Sequence, residues 1–169
     1  RDAGMNKVVS KPINILTLQE LINNYAPKKQ VQPTIKRSSL AKELPDDAEL
    51  FNITQFPLLD VDSGIRTLGS IETLKELLMT MLNDDLPNDI EAIKKAHATL
   101  DWDLIEKLLH KRKSGALYCG VTRMKYACQY LERYQKAGLV HLQHELYQQL
   151  MKVIEETQNA ISTWIDSQP

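Results

Sequence analysis

Residues 101–138 read DWDLIEKLLHKRKSGALYCGVTRMKYACQYLERYQKAG. Asp101 has the type and place of a helix N-cap. Asp103 adds negative charge to the first turn, where unpaired N–H groups favour it. Leu104, Ile105, Leu108 and Leu109 recur at helical spacing and are expected inward. This helix runs to Gly120. The next carries Met124, Ala127, Cys128 and Leu131 and stops at Gly138. Two helices joined so tightly must run antiparallel.

The pattern extends in both directions. Downstream, Leu142, Leu146, Leu150, Val153, Ile161 and Trp164 mark one more helix. Upstream, Ile71, Leu74, Leu78 and Leu82, then Leu86, Ile90, Ile93 and Leu100, form a single helical stripe. Pro87, after Asp84-Asp85, marks either a kink or the first turn of a second helix. A short helix is expected over residues 61–68, closed by Gly69. No strand pattern competes in this half, and no internal repeat is present. The expected fold is all-α: an antiparallel four-helix bundle with an extra short N-terminal helix.

The first third differs. In residues 27–55, Pro27, Pro33 and Pro45 are spread among polar residues, with basic pairs Lys28-Lys29 and Lys36-Arg37. This stretch reads as a mobile linker. Residues 1–26 hold a β-branched pair, Val8-Val9, then Lys11-Pro12, then Ile15, Leu18, Leu21 and Ile22 at helical spacing. A strand end, a turn and one amphipathic helix cannot bury their own apolar face. They read as the end of a larger domain.

Composition narrows the function. With 43% apolar and 25% charged residues the chain is globular rather than disordered. A net charge of -1 and no basic stripe with aromatics disfavour nucleic acid and anionic membranes. No long uncharged apolar run is present. Cys119 and Cys128 are too few for a disulfide framework or a Cys-rich zinc site. His141 and His144 have a ligand-like spacing but no evident third ligand, so they read as solvated and no metal is expected. His97 falls near the apolar stripe and is expected to be partly buried and hydrogen-bonded.

His110 stands apart. It shares a polar helix face with Asp103, Glu106, Lys107, Lys113 and Ser114. An exposed imidazole is a usable nucleophile near neutral pH. Lys111, Arg112 and Lys113 would favour an incoming phosphoryl group, and the small Ser114 and Gly115 would let another protein approach. Charge and spacing alone also fit a plain solvated basic face.

The run His110–Gly120 resembles the phosphoacceptor motif of histidine-containing phosphotransfer (HPt) domains. In that motif a basic residue and small residues follow the His, with a Gly ten residues on, as Gly120 is here. The resemblance continues through Met124, Cys128 and Leu131-Glu132. Upstream it takes in the 59–68 segment, Leu77-Leu78, Pro87 and Asp101. It covers about residues 56–169 and implies a four-helix bundle with an exposed mid-helix histidine. Two positions depart from it. The usual aliphatic residue two after the His is Arg112, which continues the Ile105–Leu109 stripe and is expected to snorkel or to strain the packing. The usual Gly four after the His is Ser114.

The resemblance implies that His110 is a phosphoacceptor, served from a receiver aspartate and passing the group to a second receiver. It implies positive potential from Lys111 and Lys113 and a ring-orienting partner at Glu132. Receiver docking would fall on Ser114, Gly115 and an exposed Leu117. No cofactor of its own is expected; the partner receiver supplies Mg. Residues 3–13, with Lys11 before Pro12, resemble the C-terminal end of a receiver domain, whose acceptor aspartate lies outside this sequence. Receiver end (1–26), linker (27–55) and HPt domain (56–169) follow the order at the tail of hybrid sensor histidine kinases. That order implies a cytoplasmic module without its own kinase core, with an inner-membrane anchor as one arrangement for the parent. Two readings compete: a scaffold that binds receivers without taking phosphate, and a metal-dependent enzyme, for which no carboxylate–histidine cluster is evident.

Overall fold

The structure, a computed structural model, describes residues 44–169. The receiver-like readings for residues 1–26, Lys11 included, and most of the linker lie outside the described residues. Short elements come first: α1 (Asp47–Leu50) and a 3₁₀ turn (Ile53–Gln55). Then follow α2 (Val61–Leu68), α3 (Ile71–Thr80), a π turn (Met81–Asp85), α4 (Leu86–Ala98), α5 (Trp102–Tyr118), α6 (Thr122–Lys136) and α7 (Gln143–Asp166). No strand occurs among the described residues.

Four of these units make the bundle. Met81 and Leu86 both keep right-handed helical backbone, so α3, the π turn and α4 form one continuous rod. This decides between the two readings of Pro87, and the answer combines them. Proline lacks an N–H and crowds the carbonyl four residues back. The wider π turn just before it, closed by Leu86 N–H to the Met81 carbonyl, absorbs the misfit without breaking the rod. The α5 helix packs on α6, α6 on α7 and α4 on α5, and the α3–α4 rod closes the ring against α7. Leu74, Leu78, Leu86, Ile93, Ile105, Leu109, Met124, Leu131, Leu146 and Leu150 are all buried in the shared core.

Local chemistry sets the helix ends. Oδ1 of Asp60 accepts from the Ser63 N–H at 3.0 Å, and Oδ1 of Asp101 accepts from the Leu104 N–H at 3.1 Å. The Asp101 cap is the one read from sequence. Gly69 closes α2 with a left-handed φ of 89°. Gly120 carries more. Its φ is 72°, and a Cβ built there would lie 2.2 Å from the Asp60 carbonyl oxygen. The Asp60 N–H donates to the Gly120 carbonyl at 2.7 Å. The chain entering α2 therefore lies on the α5–α6 turn, and only glycine fits beneath it.

Three expectations need correction. Residues 47–55, read as linker, hold α1 and the 3₁₀ turn, and Leu50 and Ile53 are buried in the bundle core. Arg123 on α6 fastens this stretch: its Nε donates to the Phe56 carbonyl at 2.8 Å and its backbone N–H to the Pro57 carbonyl at 2.9 Å. Leu104, expected inward, is 42% exposed, because the buried stripe of α5 runs through Ile105, Leu109, Arg112 and Ala116. Arg112 neither snorkels nor goes unmatched. It is 7% exposed; its Nε donates to Asp89 and its Nη1 to Asp85 at 3.2 Å. Burial opposes the guanidinium charge, but the two carboxylates outweigh it and push its pKa up.

Candidate functional site

His110 sits in the middle of α5 with its side chain 66% exposed. Facing it from α6 is Glu132, whose side chain is 1% exposed. A carboxylate is buried only if it is paired and hydrogen-bonded. Glu132 has three donors. Oε1 accepts from His110 Nδ1 at 2.7 Å and from Lys136 Nζ at 2.6 Å, and Oε2 accepts from Lys113 Nζ at 2.7 Å. Burial alone would raise the carboxyl pKa. The hydrogen bonds from Lys113, Lys136 and His110 outweigh it and pull the value down to about 2.

That charge state fixes the ring. A carboxylate ionised at neutral pH can only accept, so the proton between it and the imidazole belongs to His110 Nδ1. The neutral ring then keeps its lone pair on Nε2, the nitrogen left to the solvent side. The α5–α6 packing thus holds an exposed side chain in one orientation, with a nitrogen that can accept a bond. Glu106, one turn before His110, completes the surround. Its half-buried carboxyl is pushed up by burial, against the pull of Lys136.

Other residues named from sequence fall around this centre. Lys113 joins the cluster, whereas Lys111 is exposed and outside it. Ser114 is exposed and Leu117 is 55% exposed. Gly115 is half-buried, and a Cβ there would lie 3.6 Å from Arg112 Nη1, an ordinary contact. Internal packing therefore does not demand a glycine at that place. Lys136 was missed, and Glu106, placed on the His110 face from sequence, was given no role there. Helical spacing could have found Lys136, four residues after Glu132.

The remaining histidines and the cysteines build no second centre. His97 stacks flat on Tyr147, centroids 3.7 Å apart, and its Nε2 lies 3.3 Å from His144 Nδ1. His144 thus pairs with His97 across helices rather than with His141. No group of three metal-ligating side chains occurs among the described residues. Burial raises the Cys119 thiol pKa and pushes that of Cys128 up to about 12, so neither is a nucleophile at neutral pH. A groove of about 840 Å³, lined by Leu59, Arg123, Glu156 and Trp164 among others, shares no residue with the His110 cluster. The histidine stands on an open surface.

Residues 77–160, which take in the end of α3, the π turn, α4, α5, α6 and most of α7, match the model of the Hpt domain. The chain is similar to the sensor protein GacS of Pseudomonas syringae pv. syringae, 27% identical over 145 residues, covering 85% of this chain and 15% of that one. It is also similar to the signal transduction histidine-protein kinase BarA of Shigella flexneri, 26% identical over 157 residues, covering 93% of this chain and 16% of the relative. The BarA of Escherichia coli strain K12 is 25% identical over the same length. The chain thus spans about 15% of the length of the curated relatives it matches. No solved structure matches it. Residues 77–160 thus make an Hpt domain.

Proposed function

We propose that His110 is the phosphoacceptor of this Hpt domain and that the domain relays the phosphoryl group between two receiver domains. The relatives are a sensor protein and histidine kinases, and the role is that of a phosphorelay intermediate in two-component signalling. One observation carries the assignment to His110: an exposed imidazole whose Nδ1–H is held 2.7 Å from a buried carboxylate, with Nε2 left to solvent.

In the proposed step, the Nε2 lone pair forms a bond to phosphorus. The bond from phosphorus to the receiver aspartate oxygen breaks, and the aspartate leaves as a carboxylate with the electron pair. The ring, still protonated at Nδ1, carries positive charge beside Glu132 until that proton is released. Passage to the second receiver reverses the same bonds. Such transfer is mostly positioning and charge compensation. Lys113 supplies positive potential, and the receiver brings its own Mg. Ser114, Gly115 and Leu117 form the docking surface. Upstream donor and downstream response regulator are the expected partners, in the cytoplasm, without nucleic acid and without membrane contact by this piece. No helix among the described residues is long and apolar enough to cross a membrane.

The test is phosphate transfer from a phosphorylated receiver of the same parent protein, beside a His110→Gln copy. Acid-labile, alkali-stable label on the chain and none on the variant is the expected result. No label on the folded chain would overturn the relay reading and favour a receiver-binding scaffold.

A further inference from the structure

Glu132 has a second counter-ion that the relay as described leaves unused. Lys136 lies one turn after Glu132 on α6 and donates to Oε1, the oxygen that also holds His110. Lys113 lies on α5, one turn after His110, and donates to the other oxygen. The two ammoniums are not equivalent. Lys136 and Glu132 share one helix at the i,i+4 spacing that suits an ion pair, so their contact survives any movement between helices. Lys113 is on the histidine's own helix and has two further N–H donors. An arriving phosphoryl group would draw Lys113 toward itself. Glu132 would then face a dianion beside His110 with Lys113 partly withdrawn, and two anions at such short range repel strongly away from bulk water.

We propose that Lys136 is a positioning residue of the phosphotransfer site: it is the standing counter-ion that keeps the Glu132 carboxylate on His110, and keeps it from repelling the phosphoryl group, while Lys113 turns to the phosphoryl oxygens. This rests on the assignment of His110 as phosphoacceptor. Lys136 acts through Glu132 and touches no reacting atom. Among the described residues the ammoniums paired with Glu132 are Lys113 from α5 and Lys136 from α6, so removing Lys136 leaves that carboxylate with Lys113 and the His110 ring.

The experiment measures phosphorylation of the whole chain by the small donor phosphoramidate. The set comprises the parent sequence, Lys136→Met, Lys136→Arg, Glu132→Gln and the Glu132→Gln/Lys136→Met double variant. Loss of Lys136 is expected to slow phosphorylation about tenfold, the low end of the cost of removing the residue that orients a working side chain at metal centres. Arginine is expected to restore the rate. The deficit of the methionine variant is expected to shrink as salt rises, because it is a repulsion. In the Glu132→Gln background the same change is expected to have almost no effect. A merely structural lysine would not give that coupling or that salt dependence, and melting curves of each variant separate folding from rate. An unchanged rate in Lys136→Met, or an equal loss with and without Glu132, would overturn the proposal. Absence of any phosphate on the parent sequence would instead sink the assignment of His110, and the proposal with it.

Discussion

Two charged clusters lie on opposite sides of α5 and are near mirror images in composition. On one side a single buried anion, Glu132, is matched by two lysines and an imidazole. On the other a single buried cation, Arg112, is matched by two aspartates. His110 and Arg112 are two residues apart in one helix, so the same backbone presents both. The difference lies in what remains open. The Arg112 cluster ties α5 to the π turn and α4, and its charged group is covered. The Glu132 cluster ends in a ring with a free nitrogen on the surface. The two clusters thus differ in whether one member still reaches solvent with unused bonding capacity. The covered cluster holds the helix on which the open one stands.

If that division is right, the largest stability effect should come from the covered cluster. Arg112→Ala leaves Asp89 nearly buried without its partner, and the expected loss in urea unfolding is about 3 to 5 kcal/mol. Replacing Arg112 and Asp89 together by leucine should recover most of that loss, since an apolar pair does not need its charges matched. Phosphorylation of His110, measured cold enough that every variant is folded, should change less than about twofold, because Arg112 touches no group of the site. A tenfold loss of rate in a stable Arg112→Ala protein would break the comparison and place Arg112 in the site.

The two clusters also differ in how far the sequence announces them. The caps at Asp101 and Gly69 are legible because a cap is a local bond between residues three or four apart. The bundle is legible because its stripes repeat along each helix. Arg112 is legible only as an anomaly in a stripe: its partners lie 23 and 27 residues away on another helix, and no spacing rule connects them. Glu132 comes through family resemblance rather than pattern, being 22 residues from His110. Lys136 needs only the i,i+4 rule, but only once Glu132 is known to matter. The packing of Leu50 and Ile53 is hidden because two apolar residues among prolines and charges show no period.

The acid side of the stability curve should tell the clusters apart next. The Glu132 carboxyl goes from about 4.5 in the unfolded chain to about 2 in the fold. Its folded value is depressed, so its contribution is fully present above pH 4.5 and is lost as pH falls toward 2, when the unfolded state binds the extra proton first. The size is about 3 kcal/mol. Urea unfolding from pH 6 to 2 should show this limb in the parent sequence and lack it in Glu132→Gln. A parallel decline in both would place the acid sensitivity outside the Glu132 cluster.

A third contact between helices sharpens the contrast and carries the smallest effect. His97 on α4 is bonded not to a carboxylate but to another imidazole, His144 on α7, and it stacks on Tyr147. Burial first, and the neighbouring His144 second, push the His97 pKa below its usual 6.5. The sign follows from proton binding: below 6.5 the unfolded chain takes up a proton that the folded chain resists. Stability is therefore whole above 6.5 and erodes as pH falls beneath it. Protonation would set a cation against the second imidazole, with no anion in the contact to receive it, the reverse of the arrangement at His110. The loss should be shallower than the Glu132 limb and should begin some two units higher in pH, from the ordinary values of the two groups. His97→Phe keeps the flat stack on Tyr147 and removes the titration. Its melting temperature should hold steady between pH 7 and 5.5, while that of the parent sequence declines. The lower limb should be untouched, because Glu132 is intact. Curves that fall in parallel through that window would show that the His97–His144 contact is neutral to charge, and the two limbs would collapse into the one set by Glu132.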